Sequence, residues 1–224
     1  MVSFFFSLLG CITNSKIDSI LASMFFFFAG VFSPGLVRYT YYRGIFYLGA
    51  ALNASIFAMW PLFAFVLSIL LLRETSTIGT YLGGIVIVVG IILLYLSMNK
   101  EDIGRANPKY TLSSFLAAIF AAIATVLRKE GLNIQPDPIL GVWIGYLAAT
   151  LTSFAITPKD LYKLIFKIPK KLFLAGFCLC FAWLTFFYAL KFGDASTVSA
   201  LMNLEAIFIV FFSKIFLRAY EKVG

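Results

Sequence analysis

The sequence contains no histidine, few charged residues and three cysteines among its 224 residues. Without histidine, acid–base catalysis by imidazole and ligation of a metal by imidazole are excluded. Charged residues make up 12% of the chain, about half of what a soluble domain carries. An odd number of cysteines argues against a disulfide framework, and we interpret Cys178 and Cys180 as small buried apolar residues. The sequence therefore predicts no soluble domain, and we expect no catalytic residues, metal site or cofactor.

Apolar residues are abundant instead, since 62% of the chain is hydrophobic and 26 residues are Phe. A membrane-spanning helix needs about 20 apolar residues. The apolar stretches lack the alternating polarity of barrel strands, so we predict an all-α polytopic membrane protein, built as a helical bundle. It has seven complete spans and a partial one at the N-terminus. The complete spans are 20–45, 50–72, 77–97, 111–128, 139–157, 172–191 and 196–217.

The net charge of +8 lies mostly in the short connections between these spans. Arg128 and Lys129 fall at the end of a predicted span and are counted with the loop cations. A basic surplus in such connections is typical of membrane topology and of contacts with lipid headgroups. We therefore expect the lipid bilayer as a partner, and no nucleic acid.

The sequences of the two halves of the chain are weakly similar to each other. A shift of 145 residues aligns identical residues at eight positions, among them Thr40 with Thr185 and Arg73 with Arg218. In both halves a long aromatic span is followed by a short connection and a second span, and an arginine lies at the end of that second span. Weak internal repeats of this kind are common in transporters.

Three stretches resemble the EamA-type repeats of the drug/metabolite transporter superfamily. Residues 50–94 resemble the end of the first repeat. Pro61 lies in a helix, the acidic residue Glu74 follows that helix, and the last helix contains several glycines. Residues 187–224 resemble the corresponding part of the second repeat, and 124–132 resembles its first helix.

This resemblance implies a ten-helix plan of two inverted repeats, which moves small organic solutes across a membrane. On that plan, 1–97 is the first repeat, 98–110 a linker loop and 111–224 the second repeat. The chain would begin inside the second helix and end after the ninth. We expect a multi-pass protein of the plasma membrane with a small-molecule substrate, and a homodimer is one possible assembly.

Charged residues inside spans are candidates for function because they are costly in lipid. Glu205 lies near the middle of the last span. It is interpreted as a carboxylate that binds a cationic substrate or carries a proton, or as a structural group hydrogen-bonded between helices. Asn203 belongs to a polar stripe with Ser196 and Ser199 that faces either the transport cavity or a neighbouring helix.

A second set of candidates is aromatic and basic. Arg38 shares a helix face with Tyr41 and Tyr42, and the shift of 145 residues aligns these positions with Trp183, Phe186 and Phe187. A cavity between the two sets would be aromatic with one positive charge, and would suit an anionic or aromatic solute. Trp60, beside Pro61, could line the same cavity. The alternative is an interfacial aromatic belt whose arginines reach headgroups.

The leading function hypothesis is a secondary transporter of small organic metabolites or drugs that works by alternating access, driven by a gradient or by exchange. One alternative is a truncated fragment that does not transport. The other is a membrane-embedded enzyme, for which Glu205 would need a partner acid that the spans do not offer.

Overall fold

The computed structural model describes residues 18–74, 108–156 and 170–202, with isolated positions between 83 and 90. The three continuous segments are helical with short links, which confirms the predicted all-α fold. Their helices are α1 (Ile20 to Leu48), α2 (Ala50 to Leu72), α3 (Pro108–Ile134), α4 (Pro138–Ile156), α5 (Lys170–Phe192) and α6 (Ala195–Met202).

Two of these helices are irregular. In α1 the π-helical segment Val31–Leu36 separates Ile20–Gly30 from Val37–Leu48. In α2 a turn at Ala58 and Met59 precedes the segment Trp60–Leu67, and the π-helical segment Ser68–Leu72 follows it.

Four helices of the described segments are long and apolar enough to cross a membrane. They are Ile20–Leu48, Leu52–Leu72, Tyr110–Ile134 and Pro138–Ile156, and Gly176–Phe192 is a shorter apolar helix. They correspond to five of the seven predicted spans. Most of the predicted spans 77–97 and 196–217 lies outside the described residues.

Helix boundaries follow local chemistry. Ser19 caps α1, since its hydroxyl accepts a 3.3 Å hydrogen bond from the Ala22 N–H. Asp137 caps α4 by accepting hydrogen bonds from the N–H groups of Ile139 and Leu140 at 3.0 and 3.1 Å. Gly49 makes the turn between α1 and α2 at φ +85°, a conformation that side-chain-bearing residues rarely adopt.

Helix α3 lies at the centre of the bundle. Phe26 and Phe32 of α1 pack on it, Phe32 against Phe120 at 5.6 Å between ring centroids. Phe63 of α2 meets Phe115 at 5.2 Å. The buried apolar core between α1, α3, α4, α5 and α6 comprises Ala22, Phe26, Leu132, Val142, Tyr146, Cys180, Phe186, Phe187, Leu190, Ala195 and Val198. Helices of the first predicted repeat therefore pack directly on helices of the second.

Glycines allow close contacts between helices. Gly30 of α1 lies against the backbone of Gly145 in α4, so that a Cβ on Gly30 would overlap the Gly145 carbonyl group. Gly141 makes room for the rings of Phe187 and Phe26. Small residues at such positions let membrane helices approach closely.

The cysteine prediction holds for one residue only. Cys180 is buried in the core, whereas Cys178 is exposed. The two residues are separated by about 200° around a helix, so one of them faces outward when the other faces the core.

Candidate functional site

The site begins with a break in α1 at Ser33. This residue precedes Pro34 and has extended dihedrals, φ −142° and ψ 122°, within an otherwise helical stretch. A proline disfavours helical geometry in the residue before it and supplies no N–H of its own. Beyond the break, the N–H of Val37 bonds to the carbonyls of Phe32 and Pro34. The Ser33 carbonyl is thereby left for another donor.

That donor is Arg128 of α3, whose Nη2 donates a hydrogen bond to the Ser33 carbonyl oxygen. Arg128 lies six residues before the end of α3 at Ile134, about 9 Å along the helix axis. Its side chain is 3% exposed. The structure thus places Arg128 inside a helix and not in a connection. The helix continues past this charge because Leu132 adds a buried apolar contact and the first helix-breaking residue is Pro136.

Aromatic side chains of α5 surround the guanidinium. The Cζ atom of Arg128 lies 4.6 Å from the ring centroid of Trp183 and 5.7 Å from those of Phe186 and Phe187. These three residues share one helix face because they are spaced i, i+3 and i+4. Tyr146 of α4 packs edge to face on Trp183, with 6.0 Å between the ring centroids. We call Arg128, the Ser33 carbonyl, Trp183, Phe186 and Phe187 the arginine cage.

The charge balance of the cage is unusual. Among the residues that the structure describes, no carboxylate pairs with Arg128. The Ser33 carbonyl and the negative faces of the aromatic rings supply its stabilisation. Removing an ion from water costs several kcal/mol even after relaxation. A buried cation of this kind is therefore a candidate binding group for an anion.

The predicted site residues are distributed as follows. Trp183 is half-buried and Phe187 is buried, and both belong to the cage. Arg38 is exposed, and Tyr42 is 63% exposed and packs on Tyr41. The structure thus places Arg128, and not Arg38, against the aromatic set of α5. Trp60 is half-buried at the start of the second segment of α2.

Glu205 and Asn203 lie outside the described residues. The other members of the predicted polar stripe, Ser196 and Ser199, are buried. Ser196 contacts the end of α2, as described next.

The link between α5 and α6 is held by two charged side chains. Glu74, just after α2, accepts hydrogen bonds from the N–H groups of Ala195 and Ser196 at 2.8 and 3.3 Å, and from the Ser196 hydroxyl at 3.2 Å. Lys129 donates to the carbonyls of Leu190 and Gly193, both at 2.9 Å. An acidic group at a helix N-terminus and a cation at a helix C-terminus both complement the helix dipole. Glu74 thereby ties the first half of the chain to the second.

Contacts between the two halves also occur at the opposite end of the helices. There Ser113 donates to the Thr40 carbonyl at 3.1 Å, and the Ser114 hydroxyl donates to Asn53 Oδ1 at 2.6 Å. The ring of Tyr47 stacks on Tyr110 at 3.7 Å. The cage therefore lies between two sets of contacts that join the halves.

Replacing Glu74 with Gln should lower the unfolding free energy by about 1–2 kcal/mol, since the charge and one of the two acceptor oxygens at the start of α6 are lost. For a protein of this size, that corresponds to a decrease in Tm of about 2–8 °C. Thermal unfolding of the detergent-purified protein measures it. Glu130→Gln is the matched control because, among the described residues, Glu130 makes only an exposed 3.4 Å contact with Asn133. Equal Tm values for the two variants would contradict this role of Glu74.

Within the described residues, no group of three or more Asp, Glu or Cys residues could hold a metal ion. The acidic and thiol groups there are too dispersed to provide the several convergent ligands of a metal site.

A comparison with family models matches residues 1–96 and 109–220 to the EamA-like transporter family. The two matched segments cover most of the chain, one in each half. No curated protein and no solved structure gives a significant match.

Proposed function

The chain belongs to the EamA-like transporter family, and from this premise we propose that it moves small organic metabolites or drugs across the membrane by alternating access. It is an integral membrane protein with two EamA repeats. In the proposed cycle the two repeats rock against each other around a site between them. Nothing in the sequence resembles an ATP-binding loop, so transport would be driven by a gradient or by exchange.

The observation that supports this proposal most strongly is the junction of the two halves at the arginine cage. A helix of the first half is broken at Ser33, and a buried arginine of the second half bonds to the carbonyl that the break leaves open. Transporters bind substrates at broken helices near the middle of the membrane, where unpaired backbone groups and charges are available. We propose the cage as the centre of the substrate site.

The remaining features of the proposal concern location and partners. A multi-pass protein with a small-molecule substrate fits the plasma membrane, where we place it. The exposed aromatic and aliphatic side chains of the helices, such as Phe46, Leu70 and Phe181, would contact lipid or a second copy in a homodimer.

Cross-linking tests alternating access. In a background without native cysteines, Glu74→Cys and Ser196→Cys place two thiols where the side chains now meet at 3.2 Å. A short bifunctional thiosulfonate reagent would then join the repeats at this end. We expect counterflow of labelled solute into proteoliposomes to stop on cross-linking and to return after reduction, because the two repeats must separate there once per cycle.

Each single cysteine variant, treated with the same reagent, is the control and should keep its transport. The solutes to be tried are amino acids, organic acids, sugars and cationic drugs. Undiminished counterflow through fully cross-linked protein would refute alternating access between these repeats. Absence of counterflow for every solute, in parent and variants alike, would count against transport itself.

A further inference from the structure

The arginine cage has the composition of a site for a single negative charge. We propose that it binds the carboxylate of a small monovalent organic acid with an apolar body, and that Arg128 determines this specificity. The inference rests on the proposed function, because it names the class of substrate that the transport site would take.

Arg128 has unused hydrogen-bonding capacity. A guanidinium carries five N–H donors in a planar fork. Within the described residues, Nη2 bonds to the Ser33 carbonyl, and the other N–H groups of Arg128 have no hydrogen-bond partner. The aromatic rings of α5 contact the group without accepting conventional hydrogen bonds from it. Arg128 is 3% exposed, and the polar groups of buried side chains are normally paired, so these donors are available to a ligand.

The charges of the described residues also favour an anion as the ligand. The carboxylates of the described segments are Asp18, Glu74, Glu130, Asp137 and Asp194, and none pairs with Arg128. Glu74, for example, is engaged at the α6 terminus. A bound anion would neutralise a charge that the described residues leave without an ionic partner. A bound cation would add to it, and like charges in a low-dielectric site repel strongly.

The number of cations at the cage favours a carboxylate over a phosphate. The nearest cation along α3 is Lys129, which donates hydrogen bonds to the carbonyls of Leu190 and Gly193. Among the described residues, Arg128 is the arginine that contacts the rings of Trp183, Phe186 and Phe187, which matches a single negative charge. Arg38 also interacts electrostatically with Tyr146, which packs on Trp183. A carboxylate also fits the fork of a guanidinium with two parallel hydrogen bonds. Trp183, Phe186 and Phe187 provide the apolar wall for the rest of the molecule.

Three probes of nearly equal shape and different charge test the proposal: benzoate, benzamide and benzamidine. Equilibrium binding of each to the purified full-length protein in detergent micelles is measured without any transport. We expect benzoate to bind at least about tenfold more tightly than benzamide, the factor that corresponds to about 1.4 kcal/mol. Benzamidine should bind more weakly than either. This order should be lost in Arg128→Gln and kept in Arg43→Gln, which removes an arginine that donates a hydrogen bond to Tyr39 near the C-terminal end of α1.

Arg128→Lys is the second variant and guards against a folding defect in Arg128→Gln. It keeps the charge and loses the fork, so benzoate should still be preferred over benzamide, with weaker binding than in the parent. Equal affinities of the parent for benzoate and benzamide, no binding of benzoate, or an unchanged preference in Arg128→Gln would each overturn the proposal.

These outcomes are separate from the test of transport. Benzoate binding by a protein that shows no counterflow would support the anion site and contradict the proposed function. Counterflow of cations or sugars by a protein that does not bind benzoate would support the proposed function and contradict the anion site.

Discussion

Replacement of Arg128 with Gln is expected to lower counterflow of the transported solute by about tenfold to a hundredfold. A hydrogen bond to a charged group contributes about 1.5–3 kcal/mol, and each 1.4 kcal/mol corresponds to a factor of about ten. The variant loses the charge, the fork of donors and the stacking on Trp183, Phe186 and Phe187. The measurement is the initial rate of counterflow in proteoliposomes that contain equal amounts of protein.

The same substitution should affect stability much less than transport. Removing a buried charge also removes its desolvation cost, and neutral replacements of buried ions are often tolerated. The amide of Gln can also donate to the Ser33 carbonyl. Arg43→Gln is the control, since Arg43 donates a hydrogen bond to Tyr39 near the C-terminal end of α1, and it should transport at close to the parent rate. If a folded Arg128→Gln protein showed counterflow at the parent rate, the cage would have no part in transport.

The second large effect is expected from Gly30→Ala, which should destabilise the bundle by at least about 1–3 kcal/mol, the usual cost of overpacking. The new Cβ would overlap the Gly145 carbonyl oxygen and lie 2.6 Å from the Gly145 Cα. Both are backbone atoms, so no side-chain rotation relieves the clash. Helices α1 and α4 would have to move apart.

Gly145→Ala is the matched control on the facing helix. A Cβ on Gly145 would lie 3.6 Å from the Phe26 carbonyl oxygen and 3.9 Å from the Gly30 Cα, both ordinary contacts. We expect its Tm to stay near that of the parent in the detergent-purified protein, while that of Gly30→Ala decreases. If the two variants had equal Tm values, the close approach of α1 and α4 at Gly30 would be wrong.

The membrane helices could be predicted from the sequence because their apolar runs are long and uninterrupted. The break in α1 was also indicated, since Ser33 precedes a proline inside a span. The aromatic set of Trp183, Phe186 and Phe187 followed from the 145-residue shift between the halves together with helical spacing. The helices and the break depend on neighbours along the chain, and such information is local in the sequence.

Arg128 was missed because a charge at the end of an apolar run is usually a loop residue. Its burial depends on α5, which follows it by more than forty residues and supplies the rings. The contact of Glu74 with Ala195 and Ser196 joins residues that are more than a hundred positions apart. Neither contact has a local signature. The absence of a proline between Arg128 and Pro136 was the signal that could have placed Arg128 inside the helix.

In the proposed mechanism, the repeats open alternately onto the arginine cage. In a background without native cysteines, Ser33→Cys places a thiol at the break in α1, and a membrane-impermeant thiosulfonate is applied to right-side-out and to inverted vesicles. We predict that this introduced thiol is labelled from both sides and that transported solute suppresses both reactions. The control is Ala122→Cys, which should stay unlabelled because Ala122 is fully buried in α3. Labelling of the thiol at the α1 break from one side only, or from neither, would contradict alternating access at this site.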